Sequence, residues 1–166
     1  VAVNSKKKGN RGELECVKIL TKRFGEGFAR VPSSGAWGGG QNRSKRENMS
    51  IEQKLTLVAD IMTPPNFRFV LEHKNYEAAS FWDLFNASSN FNEWTEQVVS
   101  DAQFVGKEPL LIMKFSRHQR IIMTQLKIPF IFSWRDVAGR LWNCNYFDVI
   151  LEEENKWWYN EPDEIT

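Results

Sequence analysis

Three residues carry the sharpest chemical signal in this chain: Asp60, Glu72 and Lys74. Glu72 and Lys74 lie two apart in the strand candidate Phe67–Lys74. Side chains alternate faces along a strand, so these two project the same way. Asp60 and Glu72 flank Asn66 symmetrically, six residues to either side. The tetrapeptide Thr63-Pro64-Pro65-Asn66 reads as a turn, because two prolines cannot supply ladder donors. A regular hairpin about that turn sets Asp60 across from Glu72, with Cβ atoms about 4.5–5.5 Å apart. Carboxylates that close repel unless a positive charge lies between them. Mg²⁺ suits such a pair, since it takes one or two carboxylates and keeps several waters; Mn²⁺ is the expected substitute. Lys74 would stand beside the metal, where an ammonium orients a water and counters the charge that builds on a phosphate. On a solvated strand pair the same three residues would be ordinary surface charges, and spacing alone leaves both readings open.

The elements that must position these groups follow from local pattern. Leu55–Met62 reads as the first hairpin strand. A helix is predicted to start at Asn10, with Glu13 three residues on as in a capping box. Its apolar stripe is Cys16, Val17, Leu20 and Phe24, and Gly25 and Gly27 end it. Glu13 falls on that stripe while Glu15 points away. A carboxylate on a buried face needs a partner, which is either the Asn10 N–H or a cation. Phe28–Val31 reads as a short strand and Pro32–Asn42 as a loop, where Arg30, Ser33 and Ser34 can approach a phosphate. Residues 43–54 form no clear element beyond a helical turn. Ser80–Asn86 and Asn90–Val105 read as helices, and Glu108–Phe115, Arg120–Thr124 and Phe130–Trp134 as strands. This order predicts a single α/β domain, a central mixed β-sheet flanked by helices. Residues 1–8 read as a basic arm, 9–151 as the domain and 152–166 as an acidic tail. Gln97, on the helix Asn90–Val105, reads first as a surface residue and second as a catalytic one. Lys114, Arg117, His118 and Arg120 read equally as a solvated turn or as phosphate ligands.

A chain of 166 residues with 42% hydrophobic and 26% charged residues is that of one ordinary globular domain, not a disordered segment. No apolar run approaches the ~20 residues that cross a bilayer, and no basic-then-apolar leader opens the sequence. Cys16 and Cys144 cannot make a disulfide framework and lack metal-ligand spacing. The expectation is a cytoplasmic protein with reduced thiols and no membrane partner. The net charge of +1 hides an asymmetry. Residues 1–46 hold eleven Lys and Arg against three Glu, a net +8, and the remainder is −7. The basic front, with Lys6, Lys7, Lys8, Arg11, Arg30, Arg43, Lys45 and Arg46, is a candidate nucleic-acid surface. The aromatic residues Phe81, Trp82, Phe85, Phe91 and Trp94 read as core or as a dimer interface. Trp157, Trp158 and Tyr159 either close the core or dock on a partner subunit.

Taken together, Gly9-Asn10-Arg11-Gly12-Glu13-Leu14-Glu15, Arg30-Val31-Pro32-Ser33-Ser34-Gly35, Val58-Ala59-Asp60-Ile61 and Leu71-Glu72-His73-Lys74 resemble the ordered motifs of PD-(D/E)xK nucleases. They are most similar to the archaeal- and phage-type Holliday junction resolvases. The resemblance runs from residue 9 to about residue 115. It implies a restriction-endonuclease-like fold, a metal-dependent DNA endonuclease activity and a homodimer. It matches Glu13 to the helix acid, Asp60 and Glu72 to the metal carboxylates, and Lys74 to the motif lysine. It adds the His73 carbonyl as a metal ligand and either Ser33 or Ser34 as the loop serine. Ala59 replaces the motif proline, and residues 36–56 form a longer insertion than in compact members. The expected function is a Mg²⁺-dependent, structure-selective endonuclease acting on branched DNA, foremost four-way junctions. If the source is a phage, the compartment is the host cytoplasm. The alternatives are a nuclease of linear or single-stranded DNA in restriction or repair, and a non-catalytic nucleic-acid-binding module.

Overall fold

Near-continuous apolar runs in three consecutive strands build the centre of this protein. The computed structural model describes residues 5–32, 49–76, 83, 86, 90–115 and 117–160. Its strands are β1 (Ala29–Arg30), β2 (Ile61–Met62), β3 (Phe69–Tyr76), β4 (Glu108–Phe115), β5 (Arg120–Thr124), β6 (Phe132–Arg135) and β7 (Leu141–Tyr146). Its helices are α1 (Ser5–Phe24), α2 (Ile51–Val58), α3 (Asn90–Val105), α4 (Phe147–Leu151) and α5 (Asn155–Trp158). The strands form one mixed sheet in the order β1-β2-β3-β4-β5-β7-β6. Only β3 and β4 run parallel; the other neighbours are antiparallel. A parallel pair needs a long crossover, and α3 lies within it. This is the expected α/β architecture, a mixed sheet with helices on both faces.

Strand alternation divides the core. Phe69, Leu71, Leu110, Ile112 and Ile122 point to one side, where Cys16 and Leu20 of α1, Phe147 and Ile150 of α4 and Trp158 of α5 cover them. Leu111, Met113 and Met123 point to the other, under Phe91, Trp94, Val98 and Val99 of α3. Val70 on that side meets Leu55, Val58, Ala102 and Val105. The central strands are buried on both faces, which explains their near-continuous apolar runs. Both cysteines are free and buried, and burial pushes the Cys16 thiol up to about 12. No described helix is long and apolar enough to cross a membrane.

Two expected boundaries are corrected. Leu55–Val58 is helical rather than extended, and only Ile61–Met62 joins the ladder. Ser50 and Gln53 form a capping box that starts α2, and Leu55 and Val58, three apart, bury one face against α3. The first helix begins at Ser5, not at Asn10. Lysines are good helix formers, and the Asn10 amide oxygen is taken by Arg30, so nothing stops the helix from extending toward the N-terminus.

The C-terminal third supplies β7, α4 and α5, which local pattern did not resolve. Of the two readings for Trp157-Trp158-Tyr159, closure of the core is what the structure shows. Trp158 is fully buried and stacks on Phe67 at 5.8 Å. Arg68 N–H donates to the Trp158 carbonyl (2.8 Å) and Asn160 N–H to the Asn66 carbonyl (2.9 Å). The C-terminal segment therefore clamps the β2–β3 turn. Phe81, Trp82 and Phe85 lie outside the described residues, and Phe91 and Trp94 are core.

Candidate active site

The register of the hairpin sets the site. Ile61 pairs with Leu71, so the adjacent position places Asp60 opposite Glu72, as the symmetry about Asn66 predicts. Asp60 follows the C-cap of α2, Ala59. Its carbonyl accepts from Val31 N–H (3.0 Å), and its Oδ2 accepts from His73 N–H (3.0 Å). Backbone and carboxylate are thus both held, one by the strand on each side.

Glu72 is 1% exposed, on the face of β3 covered by α3. Lys74 Nζ donates to Glu72 Oε1 (2.5 Å) and to Gln97 Oε1 of α3 (3.1 Å). Glu72 Oε2 is buried without a hydrogen-bond partner. Burial first, and then the charge of Asp60, push the Glu72 carboxyl up to about 8 against the pull of Lys74. Asp101, one helical turn beyond Gln97, rises to about 6 by burial and then Asp60, with Lys74 opposing. Both acids are raised first by burial and second by the Asp60 charge, which the Lys74 ammonium opposes. Among the described residues no group of three His, Cys, Asp or Glu side chains comes together to hold a metal. A cation would instead rest on the Asp60 and Glu72 carboxylates, completed by main-chain and water oxygens. The unpartnered buried Glu72 oxygen fits that donor set.

Glu13 lies beside this pair and does not cap a helix start. It forms an ion pair with Arg30 of β1, whose Nη2 also donates to Asn10 Oδ1 (2.6 Å). Burial raises its carboxyl, Arg30 opposes, and Asp60 adds to the rise. The capping reading is overturned because the Asn10 N–H lies inside α1. Gly12 explains how α1 comes so near. A Cβ there would lie 2.5 Å from His73 Cε1 and 2.8 Å from Asn75 Nδ2, so a side chain would have to displace the His73 ring and the Asn75 amide or push the helix off β3. The His73 ring faces α1, away from Glu72 and Lys74 as alternation requires. It is buried, neither nitrogen has a hydrogen-bond partner, and burial pushes it down to about 4.

The remaining expected residues fare differently. Arg30 is engaged by Glu13 and Asn10. Arg11 is exposed and pairs with Glu15 (3.1 Å). Glu15 does not simply point away: its other oxygen takes Arg120 Nη2 of β5 (2.7 Å). Lys6, Lys7 and Lys8 fall at the start of α1. Ser33, Ser34, Arg43, Lys45 and Arg46 lie outside the described residues. Gln97 is exposed, as the sequence suggests, and its amide oxygen reaches Lys74; Asp101 has no such signal in the sequence. Their i, i+4 spacing is visible there, but not that α3 lays that face over Lys74.

A family described as "Phage putative PDDEXK endonuclease" matches residues 4–160. Protein D14 of Escherichia phage T5 is 27% identical over 163 residues, covering 95% of this chain and 93% of that protein. A solved structure of a Holliday junction resolvase from Archaeoglobus fulgidus is 21% identical, covers 78% of this chain and 88% of its own, and superposes with a TM-score of 0.39.

Proposed function

The chain belongs to the phage PDDEXK endonucleases, a PD-(D/E)xK nuclease group, and from that premise we propose a Mg²⁺-dependent, structure-selective endodeoxyribonuclease that cuts branched DNA, foremost four-way junctions. The observation that carries the metal-dependent part is Glu72. It is a buried carboxylate set against Asp60, with one oxygen on Lys74 and the other without a partner. Ionised, such a group is costly unless a cation completes it. The junction specificity draws its support from the ordered motifs Gly9–Glu15, Arg30–Gly35, Val58–Ile61 and Leu71–Lys74.

Asp60, Glu72 and the His73 carbonyl would hold the cation, which when bound supplies Lewis-acid activation and charge neutralisation at the scissile phosphate. Lys74 orients the attacking water and meets charge developing on the phosphoryl oxygens. Gln97 and Glu72 fix its ammonium between them. Glu13, paired with Arg30, would hold a second cation or a water of the first. A homodimer would carry two such sites for two cuts.

The test incubates a labelled four-way junction and a matched linear duplex with the protein, in Mg²⁺ or in EDTA. Junction cleavage only with Mg²⁺, lost in Asp60→Asn, is the expected result. Cleavage of duplex or single strands in preference to the junction would replace the substrate assignment. Binding with no Mg²⁺-stimulated cleavage would reduce the protein to a binding module.

A further inference from the structure

We propose that the turn between β4 and β5 is a second DNA-phosphate contact, with Arg117 at its tip, reaching the strand several nucleotides from the cut. This rests on the nuclease reading for its ligand. It was open in the sequence, where the turn read equally well as a solvated loop.

The first observation is backbone strain. Arg117 has φ +64°, and it is the one non-glycine with positive φ among the described residues; the others are Gly25, Gly27, Gly106 and Gly139. That region is unfavourable for L-residues, and arginine lacks the short polar side chain that eases it for Asn or Asp. A glycine would sit there more comfortably. A long cation in that place is a local conflict of the kind that collects at functional sites.

The second observation is placement. Lys74 pairs with Met113 and Asn75 with Lys114, while Lys114 pairs with Arg120. The turn therefore leaves the sheet from the end that carries Lys74. Gly12 packs on Asn75, so the basic start of α1 lies at the same end. Arg117 is four positions beyond Met113. At about 3.3 Å per residue that is at most roughly 13 Å past the level of Lys74, about four nucleotide steps along a strand.

The third observation is which charges are free. Arg120 is engaged by Glu15, which also holds Arg11. Lys114 Nζ donates to the His118 carbonyl, bracing the turn. Arg117 and His118 are exposed, and neither side chain has a hydrogen-bond or ion-pair partner among the described residues. The braced turn thus presents one unspent guanidinium, the group that best matches a phosphate.

The experiment compares wild type with Arg117→Gly, Arg117→Ala and Arg117→Lys. Affinity for a fluorescent four-way junction and for a duplex is measured in EDTA across salt concentrations, and thermal melting alongside. Loss of one phosphate contact predicts binding weaker by about tenfold near 0.1 M salt for Gly and Ala, and a salt slope shallower by about 0.9. Arg117→Lys should keep most of the slope. Arg117→Gly should melt within about 2 °C of wild type or above it, since glycine relieves the strain. Unchanged affinity and slope in Gly and Ala would overturn the proposal. A collapse of melting temperature in all three variants would also overturn it, because the residue would then be structural. Cleavage by wild type in Mg²⁺ is scored separately. Binding that follows these rules without cleavage would remove the nuclease reading and leave the contact standing.

Discussion

Replacing Glu72 by Gln should stabilise the metal-free protein, and the gain should grow with pH. The folded Glu72 carboxyl lies at about 8 against an ordinary value of 4.5. Between those values the folded state holds a proton that the unfolded state has lost, so stability falls as pH rises through the window. The burden is near zero below pH 4.5 and complete above pH 8. At about 1.4 kcal/mol per pKa unit its ceiling is about 5 kcal/mol. The Lys74 ammonium on Oε1 and local water entry reduce it, and about 2 kcal/mol is a sound expectation. Gln carries no charge at any pH, and its amide oxygen still accepts from Lys74. For a chain of this length, that amounts to a melting temperature about 4–8 °C higher than wild type at pH 8.5, with little difference at pH 4.5. The assay is thermal unfolding of both proteins in EDTA over that range. Adding Mg²⁺ should raise the wild-type melting temperature, more at pH 8 than at pH 6, because binding must displace the proton. Mg²⁺ should leave the variant unmoved. A melting difference that stays constant from pH 4.5 to 8.5 would refute the reasoning, since a buried carboxyl without a raised pKa has no such slope.

Asp60→Asn keeps an oxygen for the His73 N–H, so its melting temperature should hold while junction cleavage in Mg²⁺ is lost and junction binding is kept; full cleavage at ordinary Mg²⁺ would remove Asp60 from the site. Glu13→Gln keeps an acceptor for Arg30 but not the charge, so melting should fall by no more than about 1 kcal/mol-equivalent. Its cleavage rate should fall at least 100-fold if the acid serves the metal; near-wild-type cleavage would leave Glu13 as a partner of Arg30 alone. Replacing Lys6, Lys7 and Lys8 together by Ala preserves a good helix former at each position of α1. The slope of log affinity against log salt should become shallower by up to ~2.7, with cleavage at saturating enzyme little changed; an unchanged slope would place these lysines away from DNA.

The parts of the fold legible in the sequence are those with long, one-sided patterns. Asn90–Val105, Glu108–Phe115 and Arg120–Thr124 form the elements expected of them, over those residues. Leu55-Thr56-Leu57-Val58 has the short, branched, apolar look of a strand. It became a helix because the Ser50–Gln53 box starts one and α3 offers Ala102 and Val105 to its buried face. Neither fact belongs to those four residues. Asn10 and Glu13 had the spacing of a cap, yet both side chains turn to Arg30, which arrives from β1. Glu15 meets Arg120 across 105 positions, a separation no local pattern can announce. The same holds for Gln97 and Lys74, which meet only because α3 crosses back over β3.

The Asp60–Glu72 pairing is the same whether residues 55–58 are strand or helix, for a physical reason. Its register depends on the turn and on β3, not on how the chain reaches Ala59. Phe67 N–H closes the turn on the Pro64 carbonyl, and Lys107 Nζ gathers the carbonyls of Pro64, Pro65 and Phe67. Asn160 then fastens Asn66 from outside. On β3, Phe69 and Leu71 belong under α1 and Val70 under α2 and α3. A slip of one residue would send Phe69 and Leu71 to the wrong layer and thrust Glu72 into the apolar side among Cys16, Leu20 and Ile112. Lys74 shares that face and would follow, so a carboxylate and an ammonium would both be driven into an apolar layer. The packing of the two layers therefore excludes the odd slips, and the fastened turn holds the remaining choice at the register that opposes the two acids. The close approach of Asp60 and Glu72 is built in by the hydrophobic pattern, and either a proton on Glu72 or a bound cation relieves the repulsion.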